Sequence, residues 1–258
     1  MNFDFTEEQT MLRDSVARFV QDDYDFEQRQ QIAASQEGMS RDNWQTFAEL
    51  GWLSIPFAEE HGGFGGSAVD VMLMMEQLGK GLVLEPYLAT VILFGGVLQK
   101  AGSAEQQAAL IPKVIDGSCL GALAYLERQS RFELADVKTT AVSSDDGFCL
   151  NGEKVVVFNG ASADHVIVSA RTSGEQTDEQ GISLFLVDMN TAGLEKLSYR
   201  MMDGQVVANL VFSDVQVPAA NLVGPQDEAY ALIEAVAMEA SVAIAAEAVG
   251  IMEQLNTK

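Results

Sequence analysis

The side chains able to do chemistry in this sequence are few and widely separated. The two cysteines, Cys119 and Cys149, have neither CxxC spacing nor a Cys/His cluster around them, so no metal site is expected and both read as reduced thiols. The two histidines, His61 and His165, stand alone in a loop and at a strand edge, where a turn or packing role is the simpler reading. Glu239 and Glu247 are carboxylates on a C-terminal helix, the residue type of a proton acceptor, yet a solvated or interface glutamate accounts for each equally simply. Met72, Met74 and Met75 read as core. Residue types and spacings alone therefore close no catalytic constellation.

The elements that would position such residues are legible. Thr6 with Gln9 forms a capping box, and Met11, Leu12, Val16, Phe19 and Val20 share one face, which predicts a helix over residues 6–22. Ser40 caps a second helix that ends at Gly51. A glycine-rich loop with Gly62, Gly63, Gly65 and Gly66 leads to a helix opened by Ser67. Pro86 opens an apolar helix to Leu98, and Ser103 with Gln106 opens another in which Pro112 is expected to bend or end the run. From Gly117 the pattern changes to short strands. Asp145-Asp146-Gly147 reads as a hairpin turn between 141–143 and 148–150, and Asn151-Gly152 as a second turn. Runs at 165–170, 182–188, 208–212 and 215–217 complete the strands. From about Glu228 an alanine-rich helix carries Leu232, Ile233, Val236, Ala237, Ala240 and Ile244.

These elements predict an α+β chain: an N-terminal all-α domain (1–116), a small antiparallel β-barrel domain (117–226) and the first helix of a C-terminal helical bundle (227–258). A lone apolar helix cannot bury its own stripe, so the rest of that bundle, or a partner, is expected to cover it. Composition narrows the partners. The chain has 258 residues, is 48% hydrophobic and carries a net charge of −23 from 15 Lys+Arg against 38 Asp+Glu, which argues against nucleic acid and anionic membranes. The most apolar stretch considered, 87–98, is too short to span a bilayer. Met-Asn-Phe-Asp-Phe leads straight into the first helix with no signal peptide visible, so a cytoplasmic location is expected.

Five ordered blocks carry a family resemblance. They are Leu50-Gly51-Trp52 through Glu59-Glu60-His61-Gly62-Gly63-Phe64-Gly65-Gly66; Gln106 through Leu110-Ile111-Pro112-Lys113 to Gly117; Leu150-Asn151-Gly152-Glu153-Lys154 with Asn159-Gly160; Val211-Phe212 through Val217-Pro218; and Asn221-Leu222-Val223-Gly224. In this order they resemble the acyl-CoA dehydrogenases. The 81–90 and 168–172 stretches are similar to the small subunits of pimeloyl-CoA dehydrogenase-type heteromers. The resemblance implies FAD-dependent α,β-dehydrogenation of an acyl-CoA. In that reaction a glutamate removes the α-proton, a β-hydride passes to flavin N5, and the electrons go on to an electron-transfer flavoprotein. It also implies a homo- or hetero-oligomer with a second such subunit.

At the cofactor the sequence departs from that pattern. The segment that resembles the family's Leu-Thr-Glu-Pro-x-Ala-Gly-Ser-Asp reads Tyr125-Leu126-Glu127-Arg128-Gln129-Ser130-Arg131-Phe132-Glu133. Leu126 replaces the flavin-binding threonine, and Phe132 a serine near the substrate. Val156-Val157-Phe158 replaces Trp-Ile-Thr. By position the cofactor contacts are thus Tyr125, Leu126, Val156 and Phe158, with Phe132 toward substrate. The family's base lies in the C-terminal domain; where members place it on that domain's first helix, the matching residue here is Ala240, with Glu239 rotated about 100° away. The catalytic residue stays unassigned. Three readings stand: a flavin-dependent dehydrogenase, as one subunit of a heteromer or as a truncated chain; a structural subunit that completes a partner's site without holding flavin; and, less close to the blocks above, a flavin monooxygenase relative on the same scaffold.

Overall fold

The computed structural model describes residues 4–257. Met1 to Phe3, part of the stretch read as leading into the first helix, and Lys258 lie outside the described residues. Helix α1 (Glu7–Asp22) begins as predicted: Thr6 Oγ1 accepts from Gln9 N–H at 3.1 Å, and Gln9 Oε1 accepts from Thr6 N–H at 3.1 Å. Helix α2 (Phe26–Ala34) was not anticipated, because it buries no side chain and shows no apolar stripe. Helices α3 (Arg41–Glu49) and α4 (Ala68–Gly81) start at Ser40 and Ser67. The single α-helix expected after Pro86 is instead a π-helical run, Tyr87–Gly95, that continues into α5 (Gly96–Ala101). Thr90 within it donates from Oγ1 to Gly121 O at 3.0 Å and accepts Gly121 N–H at 3.2 Å, tying helices to sheet. Helix α6 (Ala104–Ile115) holds Pro112 in its last turn and stops one residue before Asp116.

Eight strands follow: β1 (Gly121–Ala124), β2 (Thr140–Ser144), β3 (Gly147–Phe158), β4 (His165–Arg171), β5 (Ile182–Asp188), β6 (Leu194–Arg200), β7 (Val206–Pro218) and β8 (Leu222–Val223). They form one sheet in the order β6-β7-β3-β2-β4-β5-β8, with β1 beside β4. The α+β layout is the one expected, and the pairing is mainly antiparallel. Two contacts are parallel, β1 with β4 and the single Thr140–Arg171 pair between β2 and β4.

Three local expectations are corrected. Asn151-Gly152 is no turn: β3 runs straight through it, and the register shifts between Leu150 and Gly152 as a bulge. Gly152 (φ 149) is needed there, because a Cβ would run into Thr139. The two strands expected over 208–217 are one, β7, with Asp214 (φ 52) absorbing the irregularity. Strand β6 escaped notice because nearly all of its residues are exposed, which leaves no in–out alternation to read.

Helix α7 (Tyr230–Asn256) lies along α4. Gly79 faces the carbonyl of Glu247 and Gly250 that of Glu76, and a Cβ on either glycine would collide with backbone. The two helices therefore approach at backbone distance. Helix α7 is also long and apolar enough to cross a membrane by length and composition, unlike the shorter 87–98 stretch. One apolar cluster joins the helices to Ile167, Ile182, Leu184 and Val223 of the sheet, and a second fills the sheet interior around Phe148, Phe185, Leu210 and Phe212.

Candidate functional site

The site is built around a buried ion pair. Glu127 follows β1, and residues 127–136 turn back over β3. Its carboxylate accepts from Lys154 Nζ at 2.7 Å, from Thr139 N–H at 3.0 Å, from Lys138 N–H at 2.8 Å and from Gln129 Nε2 at 2.8 Å. Ser130 Oγ accepts Glu127 N–H at 3.1 Å, which closes the turn. Lys154 is fully buried and also donates to Ser169 Oγ at 2.9 Å. Burial alone would raise the Glu127 carboxyl; the Lys154 charge and these donors override it and hold the group at about 2. Burial draws Lys154 down to about 8 against the pull of Glu127.

This clamp sets a cleft. Directly after Lys154, β3 bulges again, between Lys154 and Val157. Val156 sits at φ 52, a left-handed conformation rare for a β-branched residue. Val155 N–H donates to Leu126 O at 2.9 Å, and Val156 N–H to Asn209 Oδ1 at 3.2 Å, where Tyr199 Oη also donates at 3.1 Å. The result is an open cleft of about 320 Å³ walled by Leu126, Val155, Val156, Tyr199 and Asn209, with Arg128 and Arg131 on it. Leu126 N–H has no acceptor among the described residues.

The structure therefore brings Leu126 and Val156 together. Tyr125, one residue upstream, is half-buried against the helical core. Phe158 faces elsewhere: it lines a separate cavity of about 60 Å³ between the helices and the end of β3. Phe132 is 98% exposed and lines neither space.

On α7, Ala240 is buried, whereas Glu239 is exposed and paired with Lys100 Nζ at 2.9 Å. The one-residue offset does turn Glu239 onto another face. Glu247, read as solvated, is half-buried and lines the Phe158 cavity with Glu85. Glu85 was missed; its signal was a lone acid inside the apolar run 82–94. His61 Nε2 lies 3.2 Å from Gln107 Oε1, a packing role in its loop.

Comparison with known proteins now decides the family. Residues 6–118 match the acyl-CoA dehydrogenase N-terminal domain and residues 122–215 its middle domain. The chain belongs to the acyl-CoA dehydrogenase family. It is 32% identical to the probable acyl-CoA dehydrogenase YngJ of Bacillus subtilis, over 98% of this chain and 67% of that one. Among solved structures, the FAD complex of PigA superposes with a TM-score of 0.90 at 25% identity, covering 99% of this chain and 68% of PigA. The Tcur3481-Tcur3483 steroid ACAD superposes with a TM-score of 0.86 at 25% identity, covering 99% and 66%. The chain spans about half, 53%, of some other curated acyl-CoA dehydrogenases it matches. The family is one of oxidoreductases, and FAD is its cofactor, as in the PigA complex.

Proposed function

We propose that this chain takes part in FAD-dependent α,β-dehydrogenation of an acyl-CoA thioester as one subunit of a cytoplasmic oligomer. The observation that carries this reading is the cleft lined by both Leu126 and Val156, two of the four positions matched to flavin contacts. Its volume of about 320 Å³ lies within the roughly 300–1,000 Å³ of small-molecule sites.

The residues present fit the cofactor. Leu126 and Val156 offer an apolar wall to a flat ring, Leu126 N–H is a free donor for a carbonyl edge, and Arg128 and Arg131 supply cations for phosphate oxygens. Two side-chain hydroxyls of the family pattern are absent, at 126 and 158. Each neutral hydrogen bond is worth about 0.5–1.5 kcal/mol net, so affinity is reduced without being abolished. When bound, FAD supplies the two-electron acceptor for the substrate's β-hydride.

The chain's own residues hold and orient; Glu127 borders the cleft, but its carboxylate is committed to Lys154 and to backbone donors. Ala240 has no carboxyl, and Glu239 is committed to Lys100. The base that takes the α-proton is accordingly sought outside residues 1–258, on a C-terminal helical domain of the same protein or on a second acyl-CoA dehydrogenase subunit. The Tcur3481-Tcur3483 steroid ACAD, named for two proteins, supports such a pairing. An electron-transfer flavoprotein as the next acceptor follows from the family chemistry.

The structural-subunit reading draws on Phe158, which faces the interior cavity and leaves the cleft. Co-expression of this chain with a base-containing family subunit, followed by visible spectroscopy and anaerobic addition of acyl-CoA, separates the two. Flavin in excess of the partner's own content, bleached by substrate, supports the proposal. Flavin equal to the partner's content alone makes this chain structural.

A further inference from the structure

The cavity behind Phe158 has an unusual charge balance. It lies where α4, the Tyr87–Gly95 run, the end of β3, the start of β7 and α7 meet, with Met75, Leu78 and Phe158 among its apolar walls. Three carboxyl groups line it: Glu85, Glu247 and, at the rim, Glu37. Glu85 is 5% exposed; its Oε1 accepts from Ser40 N–H at 3.2 Å and Asn43 Nδ2 at 3.0 Å, but its Oε2 is buried with no hydrogen-bond partner. Glu247, opposite on α7, makes no hydrogen bond or ion pair among the described residues. No Lys, Arg or His lines the space.

The nearby cations are engaged outside the cavity: Arg29 donates to the Leu82 and Asp203 carbonyls and Arg200 to those of Ala33, Ser35 and Gly204, and neither lines it. Lys80 on α4 is held by Glu253 at 2.9 Å and Glu76 at 3.8 Å. Glu37 at the rim is paired with Arg41 at 2.8 Å. Asp203 adds negative charge beside Glu247. The Tyr24 hydroxyl accepts Leu84 N–H at 3.0 Å and hydrogen-bonds the Glu85 carboxyl, a neutral donor that brings no counter-charge. Burial raises Glu85 and Glu247 above the usual carboxylate range, the mark of acids lacking a counter-ion.

A carboxylate that ionises in this space only accepts hydrogen bonds, so a ligand that donates them and carries positive charge supplies the missing counter-ion and favours the ionised form. The volume, about 60 Å³, holds roughly four to six water-sized groups, enough for an end group and not for a whole acyl thioester. We propose that this cavity is a subsite for a primary ammonium group on a short alkyl chain, its N–H donors taken by Glu85 Oε2 and the Glu247 carboxylate. Only the identity of the carrier rests on the acyl-CoA reading: the ammonium is then the terminal group of the substrate's acyl chain.

The test is titration of the purified full chain with n-butylammonium chloride at physiological salt, where exposed acids are screened, with butan-1-ol and sodium butyrate as controls. Calorimetry is expected to show saturable binding of butylammonium alone, weakened about tenfold or more in Glu247→Gln. Equal binding of butan-1-ol, or unchanged butylammonium binding in Glu247→Gln, overturns the subsite. Flavin content is measured on the same samples. Ammonium binding without flavin removes the dehydrogenase reading and leaves the subsite, while flavin without ammonium binding does the reverse.

Discussion

Lys154 Nζ lies 2.7 Å from Glu127 Oε1 with both side chains buried, and this pair joins the 127–136 turn to the strand that bears Val156. This pair and the Val155 N–H to Leu126 O hydrogen bond together fix the two walls of the cleft. Removing a single partner leaves a buried charge uncompensated, which costs about 3–5 kcal/mol. Lys154→Met and Glu127→Gln are each expected to lower the denaturation midpoint markedly. The double variant Lys154→Met/Glu127→Gln should lose less than the sum of the two. Urea unfolding followed by circular dichroism checks this, and additive losses would show that the pair is not coupled.

The same pair predicts an acid limit. The folded Glu127 carboxyl is held at about 2, below its unfolded value near 4.5. Its contribution to stability is therefore fully present above about pH 4.5 and is lost as pH falls toward 2, because the unfolded chain binds the proton first. Thermal midpoints between pH 7 and 2 should fall through this window, and Glu127→Gln should flatten that part of the curve.

Restoring a hydroxyl at the cleft should tighten flavin binding. Leu126→Thr is expected to raise FAD affinity by about two- to tenfold, the equivalent of one neutral hydrogen bond. Quenching of flavin fluorescence on titration measures it. The same change at Phe158, whose ring faces the interior cavity, should give a smaller gain. An equal gain at both positions would mean that Phe158 borders the flavin as Leu126 does.

The sequence disclosed what local rules encode. Thr6, Ser40, Ser67 and Ser103 marked four helix starts because each caps through a contact three or fewer residues away. Strands β4 and β5 were plain in their β-branched runs. What escaped depended on tertiary context. Asn151-Gly152 has turn composition, but pairing with β7 on one side and Thr139 on the other keeps it extended. Nothing local distinguishes a bulge that places Val156 at φ 52 from an ordinary strand. Glu85 and Glu247 are far apart in sequence and share a cavity only because α7 lies across α4. Leu126 and Val156 were picked out by resemblance, and their meeting at one cleft is a product of the Glu127–Lys154 clamp and the Val155–Leu126 hydrogen bond.

That helix crossing is itself testable. Gly250→Ala places a methyl against the Glu76 carbonyl, so α7 must shift away from α4. Overpacking of this kind costs about 1–3 kcal/mol. A lower thermal midpoint is expected, while Val249→Ala on the exposed face should change it little.

The central claim is that the cleft between Leu126 and Val156 holds flavin within an acyl-CoA dehydrogenase assembly. Its most direct measure is the flavin content of that assembly purified with the native chain and with Val156→Arg, which fills the cleft with a long cationic side chain. The claim predicts that the variant assembles normally and loses this subunit's share of the flavin. Unchanged flavin content in a fully assembled variant would contradict it and leave the chain a structural subunit.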